Sequence, residues 1–140
     1  MNQIFNLQEQ GWKLLTTEGF FSTIGPLWSR QVDETWEYGL HVEPHHTNPL
    51  GIAHGGMLMT LMDQAISMIA WSEAGRKPCA TVQLDSHFLS PAKAGDFIVA
   101  RTEVSRKSMS LIFMRGVLRV DEKEIMTAQG MMKILHRSSD

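Results

Sequence analysis

Residues 48–64 read NPLGIAHGGMLMTLMDQ, and the interpretation of the whole chain turns on them. A loop with a proline and a glycine gives way at His54-Gly55-Gly56 to an apolar run. From about His54 to Ala74 there is no proline, and Ala, Leu, Met and Gln dominate. That run predicts a helix of about five to six turns. It is apolar nearly all round, which predicts burial rather than a surface position. Gly75 supplies a stop, with Lys77 and Pro78 just beyond it. Between Gly55 and Trp71 the only charged residue is Asp63. A carboxylate buried without partners is costly or takes up a proton, and helix propensity does not ask for Asp in mid-helix. Two roles fit it: a structural carboxylate bonded to a loop or hydroxyl, or a nucleophile or general base in a cleft.

The start of the helix favours chemistry. Glycines at 55 and 56 leave backbone N–H groups open to a ligand, at the end of the helix that carries partial positive charge. Such a site suits a carbonyl oxygen that becomes an oxyanion, and a base beside it suggests acyl transfer or hydrolysis. Gly55 and Asp63 are eight residues apart, or about 12 Å along one helix. One acyl carbon cannot touch both. If both act on one substrate they come from two copies, which predicts a symmetric dimer with two equivalent shared sites.

Outward from this stretch, residues 5–18 place Leu7, Leu14 and Leu15 near one side of a short helix. GFFSTIGPLW reads as a loop packed by its own aromatics. In residues 34–43, Trp36, Tyr38, Leu40 and Val42 alternate with Thr35, Glu37, Gly39 and His41, which predicts a strand. Residues 44–53 read as a loop. Strands follow near 79–89, 96–107, 110–121 and 124–136, with SPAKAGD as a turn between the first two. The expectation is an α+β architecture, four late strands in a meander on an antiparallel sheet that wraps one central helix.

The chain has 140 residues, 43% hydrophobic, with a formal net charge of −2. One domain with a real core is expected. No basic face is implied, so neither nucleic acid nor an anionic membrane is an expected partner. The single cysteine, Cys79, allows no internal disulfide, and no signal peptide or membrane span is evident, so a cytoplasmic protein is expected. His41, His45, His46 and His54 fit no common zinc spacing, and no metal is expected. Cys79 has no nearby histidine to activate it. The four tryptophans read as packing anchors, and the Met-rich helix as core filler beside an apolar pocket.

Asn48, His54-Gly55-Gly56 and Asp63, followed by VQLDSHFLSPAKAGD and by TAQGMMKIL in the last strands, resemble the hotdog-fold acyl-CoA thioesterases of the phenylacetic-acid-degradation type, within the 4-hydroxybenzoyl-CoA thioesterase superfamily. The resemblance covers about residues 35–136 and is looser before them. It implies one hotdog thioesterase domain over residues 1–140. It also implies hydrolysis of an acyl- or aryl-CoA to free acid and CoA, with no cofactor beyond the CoA of the substrate. Asp63 would attack the thioester or activate water, Gly55 would polarise the carbonyl, Asn48 would position substrate or water, and Thr81 would orient the water. His54 would support the loop at the helix start. Substrate contacts would come from His54, Gly56, Gln83, Phe88, Ser90 and Pro91, and phosphate contacts from Lys93, Arg106 and Lys107. Ser108 stands where the family commonly has glycine. A homodimer is expected from the spacing, and a homotetramer from the resemblance alone.

Two other functions compete. Acyl-thioester hydration or dehydration on the same fold uses a His paired with an acid, but no acid lies between Pro44 and Asp63 to pair with one locally. A non-catalytic binder of acyl-CoA or aromatic ligands would bind esters without turnover.

Overall fold

The computed structural model describes residues 3–136, with side chains from Asn6 onward. Two short helices, α1 (Gln3–Glu9) and α2 (Phe21–Ile24), precede the long α3 (Gly55–Glu73). The strands are β1 (Lys13–Leu15), β2 (Leu27–Val32), β3 (Thr35–His41), β4 (Cys79–Phe88), β5 (Phe97–Lys107), β6 (Leu111–Val120) and β7 (Lys123–Ile134). They form one antiparallel sheet of seven strands in the order β1-β2-β3-β5-β6-β7-β4. The sheet bends around α3, which is the hotdog arrangement, α+β. No helix among the described residues is long and apolar enough to cross a membrane.

Alternation along the strands makes the core. Ile98 and Ala100, Ile112, Met114 and Leu118, and Met126, Ala128, Met132 and Ile134 point inward onto Leu58, Leu61, Met62, Ala65 and Ile66 of α3. One row of paired residues, Thr102–Gly116–Ala128–Ser86, crosses β5, β6, β7 and β4 with small side chains only. There Met62 of α3 packs directly on the sheet. A Cβ on Gly116 would stand 2.6 Å from Met62 Sδ and 2.8 Å from Thr102 Cγ2, so a larger residue there requires those side chains to shift. The helix ends as expected: Gly75 has φ +67°, and Arg76 N–H donates to Trp71 C=O at 2.8 Å.

Four expectations are corrected. Residues 5–18 are not one helix: α1 stops at Glu9, Gly11 turns at φ +91°, and Lys13–Leu15 pair with β2 instead. GFFSTIGPLW is not simply a loop, because Phe21–Ile24 form a helical turn and Leu27 begins β2. That strand hides its period because both faces are covered, Leu27 by the main core and Trp28 by a second cluster with Leu7 and Trp12. The four late strands are not one meander: only β5, β6 and β7 are, while β4 pairs with β7 and residues 89–96 carry the chain back to pair β5 with β3. Finally, α3 is not buried all round. The sheet covers one side, and Gly56, Thr60, Asp63, Gln64, Ser67 and Trp71 form a partly or fully exposed stripe on the other. Trp36 and Trp71 are accordingly exposed, whereas Trp12 and Trp28 are anchors.

Candidate active site

Asp63 lies midway along α3 on this uncovered stripe, half-buried. Its Oδ1 accepts the Thr81 hydroxyl at 2.6 Å. Thr81 stands on β4 one residue before a break in register between Thr81 and Gln83. This bond orients the carboxylate and leaves Oδ2 without a partner among the described residues.

At the start of α3, His54 is the N-cap in extended conformation, and its Nδ1 accepts the Gly56 N–H at 2.9 Å. The first N–H groups of a helix have no partner inside it. Here Gly56 is satisfied by His54, Met57 and Leu58 by the His54 carbonyl, and Gly55 by nothing described. The Gly55 N–H is therefore the open donor at the positive end of the helix dipole. The Phe88 ring lies alongside, 3.4 Å from where a Gly55 Cβ would be.

Asn48 closes the loop that leads to this turn. Its side-chain carbonyl accepts from Leu50 N–H at 2.9 Å and Ile52 N–H at 3.4 Å, which leaves its amide donor unengaged. His46 braces the same loop from below. It is buried, its Nδ1 accepts Glu43 N–H at 2.9 Å, and its Nε2 therefore donates to Ile24 C=O at 2.7 Å. Its own carbonyl accepts His54 N–H at 2.8 Å. The sequence reading missed this residue, although Glu43 and His46 at a spacing of three, around Pro44, carried the signal of a capped turn.

Burial lowers the pKa of His46, and burial also lowers that of His41 against the opposing pull of Glu43. A second proton on His46 would set two donors face to face at Nδ1 and Glu43 N–H. The unfolded chain therefore binds more protons near and below pH 6.5, and stability falls as pH drops through that range. Thermal melts at pH 7.5 and 5.5 should show a clear acid loss, at most about 1.4 kcal/mol per pH unit from His46 alone. In His46→Gln the loss should be smaller, and equal slopes in both proteins would refute the assignment.

The structure divides the expected substrate contacts. Phe88, Ser90, Pro91 and Lys93 gather at the N-terminal end of α3, where Ile52 pairs with Lys93. Arg106, Lys107 and Ser108 lie at the other end, roughly 28 Å away along the helix. Lys107 Nζ donates to Glu73 C=O at 2.8 Å, which makes it a cap on the end of α3 rather than a free cation. The Ser108 hydroxyl is spent on its own hairpin, against Leu111. Gln83 is displaced altogether: the bulge after Thr81 turns it to the outer face, where its amide bonds Asp85 at 3.3 Å. A depression of about 770 Å³ on that face lies away from Asp63, and two of its arginines are already paired, Arg115 with Glu103 and Arg119 with Glu124.

A helix-borne carboxylate with a hydroxyl partner and, about two turns away, an open N–H at the start of the same helix, set on a hotdog scaffold, point to a class of thioester-cleaving enzyme. Residues 50–127, more than half of the chain, match the profile of the thioesterase superfamily. The chain belongs to that family and is a thioester hydrolase. A candidate esterase of Pseudomonas aeruginosa, PA0474, is 28% identical over 129 residues, spanning 91% of this chain and 96% of that protein. Acyl-coenzyme A thioesterase 13 of the mouse is 34% identical over 74 residues, 53% of each chain, so this match spans about half its length. A hypothetical thioesterase of Streptococcus pneumoniae, solved with coenzyme A, superposes with a TM-score of 0.73 at 20% identity, covering 81% of this chain and 91% of that one.

Proposed function

We propose that the protein hydrolyses acyl-CoA thioesters at two equivalent sites, each built from Gly55 of one copy and Asp63 of another. The observation that carries this reading is the Thr81–Asp63 bond beside an open strand edge. β4 ends the sheet with ten residues and no Pro, Lys or Arg to discourage pairing. Val82, Phe88 and Leu89 are exposed on or just beyond it. Antiparallel pairing of β4 with its own copy continues the sheet and creates a two-fold axis. Within one chain Thr81 marks the Asp63 end of β4, and Phe88 marks the Gly55 end. An axis near Leu84–Asp85 therefore carries Asp63 of one copy towards Gly55 of the other. The same operation brings Arg106 towards the Lys93 end, so that one CoA meets cations from both chains.

In this reading the thioester oxygen accepts the Gly55 N–H, and Asn48 holds substrate or water through its free amide. The unpartnered Oδ2 of Asp63 either attacks the carbonyl carbon or takes a proton from a water that does. The C–S bond then breaks, and the thiolate leaves as CoA and collects a proton. After attack by water the free acid departs at once. After attack by Oδ2 the acyl group stays on Asp63 as an anhydride until water hydrolyses it, which releases the acid and restores the carboxylate. A thioester is already activated, so a base and an oxyanion donor suffice without a metal or redox group. The relatives' names support the substrate class.

Subunit mixing tests the shared site. Asp63→Asn and Gly55→Pro are each expected to be nearly inactive when CoA thiol release is measured. After unfolding together in equal amounts and refolding, half of the dimers are mixed, and each mixed dimer has one intact site. Activity should recover to about a quarter of the parent level. No recovery in a mixture shown to contain mixed dimers would refute sites built from two copies.

A further inference from the structure

We propose that the acyl group lies in the cleft between α2 and the first turns of α3, and that this cleft selects apolar acyl groups. This rests on the acyl-CoA reading above. The cleft, about 380 Å³ and open to solvent, is lined by His54 and Gly56, on either side of the Gly55 donor. Phe20, Ile24 and Met57 line it with apolar surface.

Most polar groups along its walls are already committed. Thr60 Oγ1 donates to Gly56 C=O at 2.8 Å, Thr47 Oγ1 to Pro44 C=O at 2.7 Å, and both ring nitrogens of His46 are bonded. Among the described side chains that line it, the His45 ring and His54 Nε2 remain for a polar occupant, whereas an apolar one gains surface removed from water. Phe20, 68% exposed, presents a large ring at the mouth with nothing upon it.

Charge sets the direction. No Lys or Arg lines this cleft. On the other side of Gly55, beyond Phe88, the turn carries Lys93, and Lys123 bonds Pro91 C=O at 2.9 Å. A CoA thioester held at Gly55 has one apolar arm and one anionic arm. Coulombic attraction sends the phosphates towards the lysines and leaves the α2 cleft to the acyl group.

The test measures kcat/KM for acetyl- and decanoyl-CoA in the parent, Phe20→Ala and Thr60→Phe. The decanoyl-to-acetyl ratio should fall about tenfold in Phe20→Ala, the scale of losing one apolar wall, and at least as far in Thr60→Phe, which fills the cleft. Phe20 is exposed, so its variant keeps the experiment valid if Thr60→Phe does not fold. A parent that hydrolyses these esters while the variants keep the parental ratio would overturn the acyl cleft alone. A parent that hydrolyses neither of them overturns the acyl-CoA reading, and the cleft with it.

Discussion

Asp63→Asn should lower kcat by a hundredfold or more, roughly the contribution of a positioned base, on every acyl-CoA the parent turns over. The substitution is close to isosteric. Its amide oxygen still accepts the Thr81 hydroxyl that now lies 2.6 Å from Oδ1. What disappears is the charge and basicity of Oδ2, which no described residue engages. KM should therefore change little while kcat and kcat/KM fall together, the signature of an interaction made in the transition state. Because Asp63 lies on the uncovered stripe of α3, the melting temperature should stay near that of the parent. Turnover equal to the parent's would return the carboxylate to a structural role.

Gly55→Pro should cost about a hundred- to a thousandfold in kcat, the range for losing one oxyanion donor. Proline is unusually well tolerated here. Gly55 is the first residue of α3, where a proline needs no N–H for the helix. His54 before it is already extended, with φ −64° and ψ 134°, the conformation a following proline demands. The only group removed is the open N–H. Gly55→Ala is the control: it keeps the donor and adds one methyl in ordinary contact with the Phe88 ring at 3.4 Å. A proline variant as active as the alanine variant would exclude Gly55 as the donor.

Local pattern made much of the fold legible. The alternation of Tyr38, Leu40 and Val42 located β3, and the long proline-free run located α3 to within a residue at either end. Gly75 was readable as a stop because the αL conformation favours glycine. The early strands were not legible. β2 packs on both faces and loses its alternation, and Lys13–Leu15 become a strand only because β2 offers a partner. The site divides likewise. Asp63 and Gly55 stood out as a lone carboxylate and a glycine pair at a helix start. Gln83 was misplaced because a bulge inverts the faces of a strand without altering its composition. Lys107 was read as a free cation because its acceptor, the Glu73 carbonyl, lies 34 residues away in sequence.

By itself, the sequence determined the helix, its lone carboxylate, the glycines at its positive end and the eight-residue spacing that keeps them apart. These follow from dihedral preference and helical rise, which act over a few residues. Only the tertiary structure decided that β4 lies at the open edge beside β7, that Thr81 holds Asp63, and that α2 walls a cleft next to Gly55. Each of these depends on contacts between distant segments, which hydrophobic burial selects collectively and no local run of residues encodes.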